Sequence, residues 1–550
     1  MANARMKTVK KYEEEANMGN KKKICITGVT GSMGSAGLKE LIKHRDKFDI
    51  TCLVLPTKQE KKKIMPYFGE RGIRIVFGDL INYEDVLSFV DGADYVLHIA
   101  AVIPPKADHD PDYAYKVNVG GTANIIKAIK AQSDPDKVKL LYIGSVAETG
   151  DRLPPLHMGR TGDPIFPSSF DAYGLSKIGA ERLVIESGLK HWVSFRQTYI
   201  AIPDAMSLMD GIMYHQPIQT CIEFCPPKNA GVLLEKLCLD GLPEDFWRRI
   251  YNIGGGPSCR IVYSEYMARM MELLGMGDYT RIMERNWFAL RNFHCQWYED
   301  SHVLNDYLPF WVETAEDYYR QVKECAPWYV KMAGLPVIKD MIPMPLVKIF
   351  VMGMMANRKG DGTMFWIKRN VQNRISAFYG SRKAYENIPP WGVDMPPMPT
   401  ADNYVRLSHG YDESKPKSEL DIKDMQEAAA FRGGKCLSRS MTKGDLTTKL
   451  KWRCAFGHEF EASPTLVLLG GYWCPECEAP GWNNDEIARK NPFFAQVWYN
   501  THDKDENNFY PAECVYDCVS GGKEKEVFKR TKNAGESLSV TIFGSQALHG

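Results

Sequence analysis

Three groups of residues have the types and spacing to do chemistry. Tyr173 and Lys177 stand four apart in YGLSK (173–177), so on a helix both side chains converge on one point. A tyrosine hydroxyl is protonated near neutrality, and a neighbouring ammonium favours its phenolate, which can take a proton from an alcohol or return one to a carbonyl. The same spacing also occurs in surface helix pairs, so it needs a context. Upstream, TGVTGSMG (27–34) sets Gly28, Gly31 and Gly34 three apart, where an apolar run meets a helix-length stretch. Glycines there allow a tight turn and a close approach of backbone to a pyrophosphate, which a helix N-terminus attracts. Gly-rich turns also close helices that bind nothing. Far downstream, Cys454, His458, Cys474 and Cys477 read CAFGH, fifteen residues, then CPEC. Two ligand pairs on tight turns, three thiolates and one imidazole in all, suit a closed tetrahedral zinc site with no position left for water. The alternatives are reduced thiols beside a core histidine, or a CxxC redox pair. Cys436 could replace one ligand, and Cys514 and Cys518 form a CxxxC pair with no assigned role.

The elements that must position these groups follow from hydrophobic patterning. KICITG (23–28) reads as a short buried strand running into the glycine turn, and apolar strand-like runs recur at 50–55, 73–77, 95–101, 139–143 and 192–195. Helix-length stretches lie between them, at 34–44, 83–90, 117–131 and 173–188. Strands alternating with helices at this spacing predict right-handed crossovers and a parallel sheet covered on both faces. The expected fold class is therefore α/β, a doubly wound parallel sheet of the Rossmann type, with a smaller substrate subdomain and a small C-terminal zinc-ribbon-like module.

With the sheet come further ordered segments: GDL (78–80), DYVLHIAA (94–101), NVGGT (118–122), YIGSVAETG (142–150) and IYNIGGG (250–256). Together with the glycine turn and YGLSK they resemble the extended short-chain dehydrogenase/reductase branch (NAD-dependent epimerase/dehydratase family), over roughly residues 22–328. The resemblance implies catalysis by Ser145, Tyr173 and Lys177, with Ser145 bonding the reacting oxygen and Lys177 also holding the nicotinamide ribose. It implies cofactor contacts from Gly28, Thr30, Gly31, Ser32, Met33 and Gly34. Asp79 would meet the adenine beside Leu80, and Ala100 and Ala101 would line the pocket. Asn118 resembles a position that supports helix geometry near the site, and it is placed in the cofactor set. Val146 and Ala147 stand where sugar dehydratases of this branch carry an Asp-Glu pair, which disfavours elimination although Glu148 is near. Thr149 replaces a usual aromatic, and Gln197 stands where a proline commonly follows the arginine equivalent to Arg196.

An acid at the end of the second strand selects NAD, and basic residues there accommodate the 2′-phosphate of NADP. That strand ends LVLPTKQEKKK (53–63), with Lys58 close by and no acid before Glu60, so NADP is the expected cofactor and NAD the alternative. Along the chain the expected units are a charged arm (1–21), the dinucleotide-binding domain (22–200) and a substrate subdomain (201–330). A Met-rich arm or lid (331–387), a Pro-rich linker (388–435), the zinc module (436–482) and a polar, peripheral extension (483–550) follow. Residues 341–356 carry one charge, Lys348, and read as a packed helical arm, a lid over an apolar substrate, or a peripheral membrane contact.

Composition bounds the rest. A chain of 550 residues exceeds one core, and 69 basic against 68 acidic residues, net +1, gives no global reason to invoke nucleic acid. Fourteen cysteines spread over this length are not a secreted disulfide scaffold, and residues 1–23 carry seven basic side chains and no apolar core of a signal peptide. A cytoplasmic setting is expected, with no transmembrane helix. The expected protein is a homo-oligomeric NAD(P)-dependent oxidoreductase interconverting a secondary alcohol and a ketone on a small, apolar substrate. A nucleotide-sugar epimerase and a non-catalytic redox sensor or scaffold are the alternatives.

Overall fold

The computed structural model describes residues 21–204, 210–239, 241–333, 344–478 and 482–516. Seven parallel strands form its central sheet: β1 (Lys22–Thr27), β2 (Phe48–Val54), β3 (Ile73–Phe77), β4 (Tyr95–His98), β5 (Lys139–Ser145), β6 (His191–Gln197) and β7 (Arg249–Ile253). Their order is β3-β2-β1-β4-β5-β6-β7, so the chain reverses direction across the sheet at β1 and β4. Helices cross between them: α1 (Ser32–Leu41), α2 (Lys58–Ile64), α3 (Tyr83–Val90), α4 (Gly121–Lys130), α5 (Ala172–Ile185) and α6 (Pro227–Cys238). The doubly wound α/β fold read from the patterning is the fold observed.

Alternation along each strand sends side chains to two separate cores, as a sheet buried on both faces requires. In β5, Leu140 and Tyr142 face α3, α4 and α5, whereas Leu141 and Ile143 join the core under α1 and α6. Helix α5 is buried nearly all round, with Leu175, Ile178, Val184 and Ile185 enclosed. A helix without a solvent face needs cover on its outer side, and residues far along the chain supply it. Arg182 of α5 pairs with Glu478, Glu186 accepts from the Ser463 amide and hydroxyl, and Leu466, Val467, Leu468 and Tyr472 enter the same core.

Two sequence expectations change at this level. Within 388–435, read as a linker, lies α7 (Ile422–Phe431), capped by Asp421, whose Met425, Ala428 and Ala429 are buried. Three apolar positions on one face pack this short helix, although its flanks look like loop. The extension from 483 is not peripheral where described: α8 (Asn484–Lys490) buries Asp485 and Ala488, and α9 (Pro492–Trp498) buries Phe493, Phe494, Val497 and Trp498. Residues 344–356 are helical, with Met352 and Ala356 turned inward and Ile349, Phe350 and Met354 exposed. Residues 341–343 of that arm, 1–20, and the end of the chain from 517, with Cys518, lie outside the described residues. Among the described residues, no helix is long and apolar enough to cross a membrane.

Candidate active site

The reversal of strand order leaves a crevice at the C-terminal ends of the strands, where open α/β sheets bind ligands. A cavity of about 1120 Å³ occupies it, running from the glycine turn past Ser145, Tyr173 and Lys177 to Met267, Met270 and Met271. Its floor depends on close backbone approach. Gly28 has φ +71°, and a Cβ there would lie 2.8 Å from the Ala100 nitrogen; a Cβ on Gly34 would lie 2.1 Å from the Gly28 carbonyl oxygen. Thr27 ties the two loops together, its hydroxyl oxygen accepting from the Ile99 and Ala100 amides at 3.0 Å each. Behind it His98 bridges Thr27 and Thr122, at 3.2 and 2.9 Å, and burial pushes its imidazole down to about 3, so the ring is neutral.

Of the residues proposed for the cofactor, Gly28, Thr30, Gly31, Ser32, Met33, Gly34, Asp79, Leu80, Ala100 and Ala101 line this cavity. Two do not. Lys58 is exposed at the start of α2, outside the lining. Asn118 is buried, accepting from the Val102 amide at 2.7 Å and donating to the Val102 carbonyl and to Ser176 Oγ; it fixes the loop after β4 and touches no cavity surface. The basic reading of the second strand's end also changes. Thr57 caps α2, and the first helical turn swings Glu60 back to the cavity wall, where it accepts from the Thr30 hydroxyl. Reading the strand linearly put Glu60 too far away; the cap at Thr57 is the signal that returns it.

Ser145 ends β5 and caps the turn Val146–Glu148, its Oγ accepting from the Ala147 amide at 3.2 Å and its amide donating to Glu148 Oε1 at 2.7 Å. Glu148 is therefore a buried partner behind Ser145, outside the cavity lining. Asp171 caps α5, accepting from the Gly174 amide at 2.8 Å, and so sets Tyr173 in the first turn. Burial pushes the Tyr173 phenol above its usual range, and its hydrogen bond with Ser145 opposes this. Lys177 donates to the Ile143 carbonyl and lies 4.3 Å from the centre of the Tyr142 ring. Burial lowers its ammonium to about 8, against the pull of Glu148 and Glu181. Tyrosine, serine and ammonium thus meet at one point of the wall, an arrangement able to move a proton to or from an oxygen held there.

Sequence reading placed a substrate subdomain at 201–330 but named none of the residues that line the far half of the cavity. Tyr199, Ile212, Met213, Gln216, Tyr263 and His294 line it, with three methionines at positions i, i+3 and i+4 of α10 (Tyr263–Leu273). That spacing in YMARMMEL was the available signal. The three lysines of the lining sit elsewhere. Lys63 lies 3.3 Å from Glu60, Lys106 lies over the ring of Tyr113, and Lys177 donates to the Ile143 carbonyl one helical turn after Tyr173.

The sequence of this crevice has known counterparts. Residues 24–197 match the model of the NAD dependent epimerase/dehydratase family. Curated relatives include UDP-glucose 4-epimerases of Rickettsia massiliae, 33% identical, and Rickettsia bellii, 32% identical, each over 110 residues that cover 20% of this chain and 32% of the relative. The chain thus spans about a third of the length of the curated relatives it matches. Among solved structures, a dTDP-glucose 4,6-dehydratase of Bacillus anthracis in complex with NAD aligns at TM-score 0.43 and 15% identity, over 56% of this chain and 97% of that one. The UDP-glucose 4-epimerase of Thermus thermophilus with NAD gives 0.42 and 17%, over 56% and 100%.

A second cluster lies outside the matched segment. Cys454, His458, Cys474 and Cys477 bring one donor atom each within 4.8 Å of one another. The antiparallel hairpin β8 (Leu450–Arg453) and β9 (Glu459–Ala462) carries the first pair on its turn. Cys477 Sγ lies 3.8 Å from Cys454 Sγ and 3.5 Å from His458 Nδ1, and Cys474 Sγ lies 3.6 Å from the same nitrogen. A tetrahedral zinc with bonds of ~2.3 Å to sulfur and ~2.05 Å to nitrogen would separate its ligands by about 3.8 and about 3.5 Å, so the donor set fits such an ion. Cys436 is not among the grouped donors.

The glycine contacts give a direct test. Gly34→Ala drives a Cβ into the Gly28 carbonyl and is expected to destabilise the fold by ~3 kcal/mol or more, whereas Gly69→Ala, with open space around it, should cost about 1 kcal/mol. Urea denaturation of the two variants measures the difference.

Proposed function

We propose that the chain is an NAD-dependent oxidoreductase that interconverts a secondary alcohol and a ketone on an apolar skeleton. The observation that carries this reading is one continuous cavity with a glycine turn and Glu60 at one end, Ser145, Tyr173 and Lys177 in the middle, and an apolar wall beyond. When bound, the cofactor supplies the hydride acceptor or donor. Gly28 and the N-terminus of α1 would receive its pyrophosphate, Asp79 its adenine end and Lys177 its nicotinamide ribose. Ser145 would orient the substrate oxygen, and Tyr173 would take its proton, aided by the Lys177 charge.

Glu60 favours NAD over NADP, because a carboxylate accepts from a ribose 2′-hydroxyl and repels a 2′-phosphate. The far half favours an apolar substrate. Two phosphates there would be desolvated with the lining's lysines engaged elsewhere, Lys63 beside Glu60, Lys106 over Tyr113 and Lys177 on the Ile143 carbonyl, an expensive arrangement, whereas burial against methionine and tyrosine returns about 25 cal/mol per Å². Gln216 is the fitting polar contact: its Nε2 is buried without a hydrogen-bond partner and its residue lines the cavity. The second reading, a nucleotide-sugar epimerase, is favoured by the UDP-glucose 4-epimerase relatives. The Cys/His cluster is read as structural zinc, four protein ligands leaving no place for a reacting water.

Three outcomes test this reading. With NAD, 2-decalol should give NADH in proportion to ketone, and Tyr173→Phe should lower the rate by about a hundredfold or more with NADH binding retained; conversion of UDP-glucose to its 4-epimer without net NADH would favour the epimerase instead. Fluorescence titrations should show NADH bound more tightly than NADPH, and Glu60→Ala should shrink that preference by about tenfold. Elemental analysis should find one zinc per chain, lost in Cys474→Ser together with several degrees of thermal midpoint; zinc-free wild type would reject the metal.

A further inference from the structure

Behind the reacting centre lies a buried charged cluster that the chemistry above leaves unused. Arg196, Glu148 and Glu181 are fully buried. Glu181 follows Lys177 by four residues, as Lys177 follows Tyr173, so one stripe of α5 carries the phenol, the ammonium and this carboxylate. Arg196 Nη2 donates to Glu181 Oε2 at 2.8 Å, and Arg196 Nε lies 3.3 Å from Glu148 Oε2. Glu148 in turn accepts from the Ser145 amide. Ser194 donates to the other oxygen of Glu181.

The cluster is completed from outside the family-matched segment. Tyr472 Oη donates to Glu181 Oε2 at 2.8 Å, and Arg196 Nη2 also donates to the Gly470 carbonyl at 2.7 Å. Both residues lie just ahead of Cys474, on the chain that enters the Cys/His cluster. Burial raises both carboxyls, but Arg196 and the donors around Glu181 outweigh it there and hold that group below its usual range. At Glu148, burial and the Glu181 charge prevail and push the carboxyl well up. The donors on Glu181 therefore decide which carboxylate bears the charge facing Lys177 and Ser145.

We propose that Tyr472 is a positioning residue for the Ser145–Tyr173–Lys177 centre, its hydroxyl holding Glu181 on Arg196 so that Glu148 stays under Ser145 and Lys177 stays aimed at the cavity. The proposal rests on the cofactor reading above, and its test separates the two. Tyr472→Phe keeps the ring that packs on Arg182 and removes only the hydroxyl. NADH fluorescence titration is expected to show affinity weakened by roughly three- to tenfold in this variant. In a Glu181→Leu background, where no side-chain acceptor is left for the hydroxyl, the same change should have no further effect. Equal affinity in wild type and Tyr472→Phe would overturn the proposal. So would an undiminished loss in the Glu181→Leu background, which marks a packing effect. Should Tyr472→Phe alone not fold, Glu181→Leu should itself bind NADH roughly three- to tenfold more weakly than wild type, and equal affinity would overturn the proposal. Wild type that binds no NADH overturns the cofactor reading, and this proposal falls with it.

Discussion

Burial of the Lys177 ammonium sets the terms for its surroundings. An ammonium taken out of water must be met by carbonyls or carboxylates, or it gives up its proton. Here the Ile143 carbonyl and the face of the Tyr142 ring meet it, the acidic groups of Glu148 and Glu181 pull its basicity up, and burial still lowers it to about 8. Two buried acidic side chains need their own partners, and Arg196, Ser194 and Tyr472 supply those of Glu181. The outer face of α5 must then be covered, because this cluster could not persist beside water. Ser463, Tyr472 and Glu478 of the C-terminal module bring that cover.

A second constraint governs the cofactor end. The loops after β1 and β4 approach so closely that no side chain fits at Gly28, and Thr27 spends its hydroxyl on both amides of the opposing loop. His98 can brace this contact only as a neutral ring, donating at one nitrogen and accepting at the other, and its depressed basicity keeps it so. Asn118 does the same service one layer further back, clamping Val102 and reaching Ser176 on α5. The crevice is thus fixed by hydrogen bonds through which His98 and Asn118, outside the lining, hold the lining residues Thr27 and Val102.

Local features made much of this legible in the sequence. The strand periodicity, the glycine spacing, the four-residue interval of Tyr173 and Lys177, and the Cys/His spacing are properties of short segments, and the structure brings each group together. What escaped the sequence depends on distant contacts or on a turn of helix. Glu60 reaches the cavity only because Thr57 starts a helix, while Lys58, nearer in sequence, points to solvent. Helix α7 hid within a stretch whose flanks resemble a linker, and α8 and α9 within one that looked polar. No spacing announces that Tyr472 meets Glu181, 291 residues away.

The two halves of the cavity carry different weights of argument. The matched segment, 24–197, contains the glycine turn, Glu60, Ser145, Tyr173 and Lys177, so likeness to epimerases and dehydratases speaks to the cofactor end and the reacting centre. Met213, Met267, Met270 and Met271 lie beyond it and are read only from their own chemistry. Methionine is unbranched and polarizable, and it moulds to irregular apolar shapes without asking for hydrogen bonds. On the function proposed above, a wall built from it would select by area and shape, with Gln216 to fix orientation, whereas a nucleotide-sugar site must meet two desolvated phosphates with fixed cations. On that same proposal, a reacting centre like the family's works beside a wall that selects a different kind of molecule, because the hydride leaves one carbinol carbon and the proton its oxygen, whatever skeleton carries them.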